Sequence, residues 1–110
     1  MKIAHIKDFT NGWFIGDFEP SLLKTPQFEV AHHFYPTGFI GTPHTHKIAT
    51  EYNYIVNGRI SVDGNILKTG DIFIYEPGDI ADVKFLDDTN LIIVKTPSIP
   101  NDKYNIITKC

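Results

Sequence analysis

The segment GTPHTHKIATEY, residues 41 to 52, sets His44 and His46 two positions apart and Glu51 five beyond the second. On a β-strand successive side chains point to opposite faces, so His44 and His46 share one face, about 7 Å apart along the chain before strand twist brings their tips together. The residues between His46 and Glu51 let the chain fold back and carry the carboxylate of the next strand to the same place. Two neutral imidazoles and a carboxylate form a mixed nitrogen and oxygen donor set. Such a set suits Fe(II), Mn(II), Ni(II), Co(II) or Zn(II) better than Ca(II), Mg(II) or Cu(I). A histidine pair of this kind alone is more often surface decoration or polar packing, so the surrounding spacing has to carry the reading.

Working outward, the chain has the punctuation of an all-β protein. The runs GWFIGDF, QFEVAHHFY, EYNYIV, RISVD, DIFIYE, ADVKF and LIIVKT are rich in β-branched and aromatic residues and are separated by turn residues. Asn57 with Gly58, and Asp63 with Gly64, are dipeptides that favour tight turns, and they predict two consecutive hairpins around RISVD. Many short strands point to a sandwich or barrel, in which closure removes exposed edges. The prolines of SLLKTPQ and TPSIPNDKY interrupt pairing, and the tail is expected to cross the outside of the barrel.

With 110 residues the chain is the size of one domain, residues 1 to 110. It has no apolar run long enough for a membrane helix and no secretory leader at MKIAHIKDF, so a cytoplasmic protein with no membrane partner is expected. The single cysteine, Cys110, excludes an internal disulfide and reads as an incidental exposed thiol. The net charge of −3, with Arg59 the only arginine and no basic cluster, speaks against a nucleic-acid partner.

Extending the opening segment to Gly38 and Gly58 gives G(x)5HxH(x)4E(x)6G. This resembles the first motif of the cupin superfamily. Gly70, twelve positions after Gly58, opens a stretch ending Glu76, Pro77, Gly78 that resembles the second motif, G(x)5PxG(x)2H, with Glu76 at its proline position. No histidine follows His46. The direct register puts Ala81 where the family has its third histidine, whereas a one-residue slip aligned on Pro77 puts Asp82 there, a candidate fourth ligand. The alternation of ADVKF favours Ala81, Val83 and Phe85 inward with Asp82 and Lys84 outward. The resemblance implies an all-β, cupin-type double-stranded β-helix, a jelly-roll barrel that is often dimeric and holds a metal or small molecule inside. His44, His46 and Glu51 are then the expected metal ligands and catalytic residues, with Asp82 as a further ligand in the slipped register.

A fold of this kind does not choose its chemistry. Three readings stay open. In the first, a divalent transition metal (Fe, Mn, Ni or Zn) on His44, His46 and Glu51 serves an isomerase, epimerase or dioxygenase acting on a small oxygenated substrate such as a sugar. The second is a metal-free isomerase or epimerase of nucleotide-linked sugars with His44 or His46 as base, for which a single arginine provides little diphosphate binding. The third is a noncatalytic binding module. Parity from Glu51 turns Asn53 and Ile55 inward. The preceding strand offers His32 and Tyr35, or His33, according to register. Tyr52 and Tyr54 face outward as packing or homodimer contacts, and Lys47 reads as a solvated lysine.

Overall fold

A computed structural model of the protein describes residues 1 to 106, so Cys110 lies outside the described residues. Eleven strands follow two short 3-10 turns (Ile6–Asp8 and Thr10–Gly12): β1 (Trp13–Ile15), β2 (Glu29–Tyr35), β3 (His44–Thr45), β4 (Thr50–Asn57), β5 (Arg59–Val62), β6 (Asn65–Lys68), β7 (Ile72–Tyr75), β8 (Ile80–Ala81), β9 (Val83–Phe85), β10 (Thr89–Thr96) and β11 (Tyr104–Asn105). They form antiparallel sheets in the orders β1-β2-β10-β4-β7, β11-β3-β8 and β6-β5-β9. A core of Ile55, Ile60, Val62, Tyr75, Ala81, Phe85, Leu91 and Ile93 joins the five-stranded sheet to the two smaller ones. No helix among the described residues is long and apolar enough to cross a membrane.

Period-2 alternation places the inner face. Along β4, Glu51, Asn53 and Ile55 are buried while Tyr52, Tyr54 and Val56 are exposed. The stretch 81 to 85 keeps the alternation seen in its sequence: Ala81 and Phe85 are buried, Asp82 and Lys84 exposed.

One of the two expected hairpins forms. Asp63 and Gly64, both at positive φ (49° and 83°), join β5 to β6 with Val62 opposite Asn65. Asn57 and Gly58 do not make a hairpin, because β4 pairs with β10 and β7 whereas β5 pairs with β6 and β9. Here the chain leaves one sheet for another. Gly58, at φ 124°, passes so close to Thr89 that a Cβ would meet the Thr89 Cα at 2.7 Å, so the glycine serves a corner and a close approach.

The tail also departs from expectation. Instead of only crossing the exterior, residues 97 to 106 bury Ser98 and Asp102 and add β11 beside β3, with Tyr104 opposite Thr45 and Asn105 opposite His44.

Candidate metal centre

Three elements bring the donor atoms together. His44 sits on β3 between β11 and β8, opposite Ala81; His46 follows β3; Glu51 lies on β4 between Lys95 of β10 and Tyr75 of β7. One donor atom each from His44, His46 and Glu51 lies within 4.8 Å of the other two. The imidazoles are edge to face with centroids 5.2 Å apart, and His46 Nε2 is 3.4 Å from Glu51 Oε1.

Backbone carbonyls fix both rings. His44 Nδ1–H donates to the Thr42 carbonyl at 3.1 Å and His46 Nδ1–H donates to the Asp102 carbonyl at 2.6 Å. A carbonyl only accepts, so each ring carries its proton on Nδ1 and presents the Nε2 lone pair to the interior, the usual arrangement of a ligating histidine. Glu51 is oriented by Asn53, whose Nδ2 donates to Oε2 at 3.1 Å. His46 Nε2 is buried and has no hydrogen-bond partner among the described residues. A polar atom left in that state costs stability unless something else satisfies it, and a metal ion on this donor set would do so.

Charge states favour the same outcome. Burial lowers the His44 pKa, a pull only partly opposed by the Thr42 carbonyl, so its neutral, ligating form is preferred. Burial by itself would raise Glu51, but the His46 ring, the Asn53 amide and the Lys95 charge outweigh it and hold the carboxyl below its usual value.

The cavity around these residues has a volume of about 200 Å³. His33 and Tyr35 line it, hydrogen-bonded to each other at 3.0 Å (Nδ1 to Oη). His32 faces the other side of β2 and donates from Nε2 to Asn90 Oδ1 at 2.9 Å. The cavity thus takes His33 together with Tyr35, a pair that neither expected alternative gave, because residues two apart on a strand share a face. Tyr75 also lines the cavity; burial raises its hydroxyl well above the usual phenol value, with Asp63 and Glu51 adding to the effect, so it stays protonated.

Ala81, not Asp82, faces the interior. Asp82 is exposed and stands outside the ligand group, because the alternation through ADVKF turns its side chain away from Ala81 and Phe85. The Asp82 of the slipped register thus stands apart from the three residues that could hold a metal, His44, His46 and Glu51. Lys47 is exposed as expected, but its Nζ stands 4.2 Å over the Tyr104 ring. Asp102, Lys95 and Lys103, which the sequence reading passed over, all adjoin the site. Lys95 shares the inward parity of LIIVKT, a signal that was available; nothing local marks the other two.

No protein-family model and no curated sequence matches the chain. Solved structures do match. KdgF from a Halomonas species superposes with a TM-score of 0.65 at 26% identity, over 70% of this chain and 74% of that one. An uncharacterised double-stranded β-helix protein from Klebsiella pneumoniae gives 0.69 at 19% identity, over 98% and 93%. An RmlC-like cupin from Shewanella frigidimarina gives 0.62 at 22% identity, over 70% and 72%. The architecture is the double-stranded β-helix, the cupin-type fold of these structures.

Proposed function

We propose that the protein is a metal-dependent cupin enzyme in which His44, His46 and Glu51 hold a divalent transition metal (Fe, Mn, Ni or Zn) beside a small oxygenated substrate. The observation that carries this is the buried, unpartnered His46 Nε2, 3.4 Å from the Glu51 carboxylate, on a ring whose other nitrogen is already engaged. Such an ion supplies a Lewis acid for isomerase, epimerase or oxygenase chemistry at a carbonyl or enediol oxygen. The protein's part is to position and exclude. Asn53 orients Glu51, the Thr42 and Asp102 carbonyls orient the imidazoles, and Phe73, Phe85, Leu91 and Ile93 keep the walls apolar. Ala81, occupying the position of the family's third histidine, leaves that side of the site free for substrate.

The decisive experiment is metal analysis of protein purified without an affinity tag, then loaded separately with Fe(II), Mn(II), Ni(II) and Zn(II). One ion per chain, lost in His46→Ala, is expected; no stoichiometric metal under any loading would refute the reading. The metal-free alternative acting on nucleotide-linked sugars fits less well. A cavity near 200 Å³ equals roughly seven waters at about 30 Å³ each, and no arginine lines it.

We further propose that the protein acts in the cytoplasm as a homodimer joined through the outer face of the five-stranded sheet. The cytoplasmic part rests on the lone cysteine and ordinary composition. The dimer rests on two rows across four strands, Val30, Val94, Tyr52, Ile74 and His32, Ile92, Tyr54, Ile72. Seven of these eight side chains are apolar or tyrosine, and Tyr52, Tyr54, Ile72 and Ile74 are exposed. A solvent-facing side of an antiparallel sheet is ordinarily polar. With its flanking Val56 and Phe34 this patch spans about 400 Å² from strand and residue spacings, around half of one partner's share of a standard interface, and a twofold axis makes it self-complementary.

A further inference from the structure

The cavity's charge runs against that of the whole chain. The protein carries a formal net charge of −3, yet the charged residues lining the cavity are Lys95, Lys103 and Glu51, two positive and one negative, for a net of +1 before any metal is added. We infer that the cavity takes a small organic acid, a ligand of a few carbons with one or two carboxylates, held by Lys103 at the mouth and Lys95 on the wall. This deepens the proposed function by naming the ligand class of the same cavity, although the lysine charges are present whether or not a metal is.

The two lysines are placed differently. The Lys95 Nζ lies 3.4 Å from Glu29 Oε1 and 4.8 Å from the centre of the Trp13 ring, on a side chain only 14% exposed. It is a fixed charge shared with Glu29, a residue outside the cavity lining. Lys103 has no carboxylate partner among the described residues. The neighbouring Asp102 is bound through its carboxylate to three backbone N–H groups, which anchors the chain from which Lys103 projects.

Volume and lining select among anions. About 200 Å³ admits a molecule of roughly seven heavy atoms, taking about 30 Å³ per water as the scale. Trp13, Phe39, Phe73, Phe85 and Leu91 give the space an apolar wall that suits a carbon skeleton better than a bare inorganic ion. Lysine ammonium groups bind a carboxylate as point charges, without an arginine fork.

Trp13 is the only tryptophan and lines the cavity, so its fluorescence reports occupancy. Metal-free and Zn(II)-treated protein would each be titrated with malonate, with malonamide as its uncharged counterpart, and with inorganic phosphate. Malonate is expected to bind at least about tenfold more tightly than malonamide or phosphate in both forms. Lys103→Met should weaken malonate by about tenfold and leave malonamide and Zn(II) binding unchanged. Equal binding of malonate and malonamide, phosphate binding as tight as malonate, or no effect of Lys103→Met would overturn the inference. If Zn(II) does not bind while malonate selectivity persists, the metal reading fails and this one stands; Zn(II) binding with no malonate selectivity gives the reverse.

Discussion

The backbone carbonyl of Asp102 accepts the His46 Nδ1–H at 2.6 Å while the carboxylate of the same Asp102 accepts from the backbone N–H groups of Lys47, Ile48 and Ala49, at 3.0, 3.1 and 2.9 Å. One residue, 56 positions from His46 in sequence, therefore sets both the orientation of an imidazole and the shape of the turn that leads from the two histidines to Glu51. Asp102 is a positioning residue for the candidate centre.

Asp102→Ala should cost about 2–4 kcal/mol, since it strips the acceptor from three backbone donors, one of them on buried Ala49. It should also weaken Zn(II) binding by roughly 10- to 100-fold, the usual consequence of losing support behind a ligand. Asp102→Asn, retaining one carbonyl oxygen, should fall between. Urea unfolding of metal-free protein and Zn(II) titration measure the two effects separately; unchanged metal affinity in Asp102→Ala would remove its positioning role.

Acid should expose the same contact. Burial by itself would raise the Asp102 carboxyl, but its hydrogen bonds from Ala49, Lys47 and Ile48 outweigh that and depress it. A carboxyl with a depressed folded value contributes stability that is present above its unfolded value, near 3.9, and is lost as pH falls through the folded one. Urea midpoints of the wild type, followed from pH 5 down to 2.5, should drop more steeply than those of Asp102→Asn. Parallel curves would show that the carboxylate is not differentially stabilised.

Metal affinity should respond in a higher window. Ligation needs neutral imidazoles, so protons compete with the metal below the ordinary histidine value near 6.5. Because burial lowers His44, its competition begins below that value. Zn(II) affinity is expected to change little from pH 8 to 7 and to decline progressively toward pH 5.5. A flat titration across that whole range would contradict histidine ligation.

Residue 81 offers a gain-of-function test. Ala81 is paired with His44 and faces the cavity, so Ala81→His adds an imidazole on the candidate site and should tighten Zn(II) binding by about tenfold or more. Asp82→Ala, on the exposed side, should leave affinity unchanged. The opposite pattern in these two variants would restore the slipped register.

The outer sheet face predicts a particle of twice the 12.5 kDa chain mass in sedimentation equilibrium at micromolar concentration. Ile72→Lys together with Tyr54→Lys places cations side by side across the β4–β7 pairing and should yield a folded monomer. A wild-type monomer would dispose of the interface.

The convergence of His44, His46 and Glu51 was legible in sequence because side-chain spacing on strands is a local property: a two-residue repeat puts the histidines on one face, and a short link returns the chain. The same repeat in ADVKF turned Ala81 inward and Asp82 outward, since alternation survives wherever backbone is extended. Asn57 with Gly58 showed the limit of local reading. The dipeptide specifies a change of direction but not which strand comes to lie alongside, and here packing of Thr89 against Gly58 sends the chain to another sheet. Lys95 carried the inward parity of LIIVKT, whereas Asp102 and Lys103 joined the site only through the fold. Their chemistry depends on what stands within a few ångströms after β10 and the tail close against β3 and β4, and that proximity is decided by the burial of a shared core, which leaves no periodic mark on distant residues.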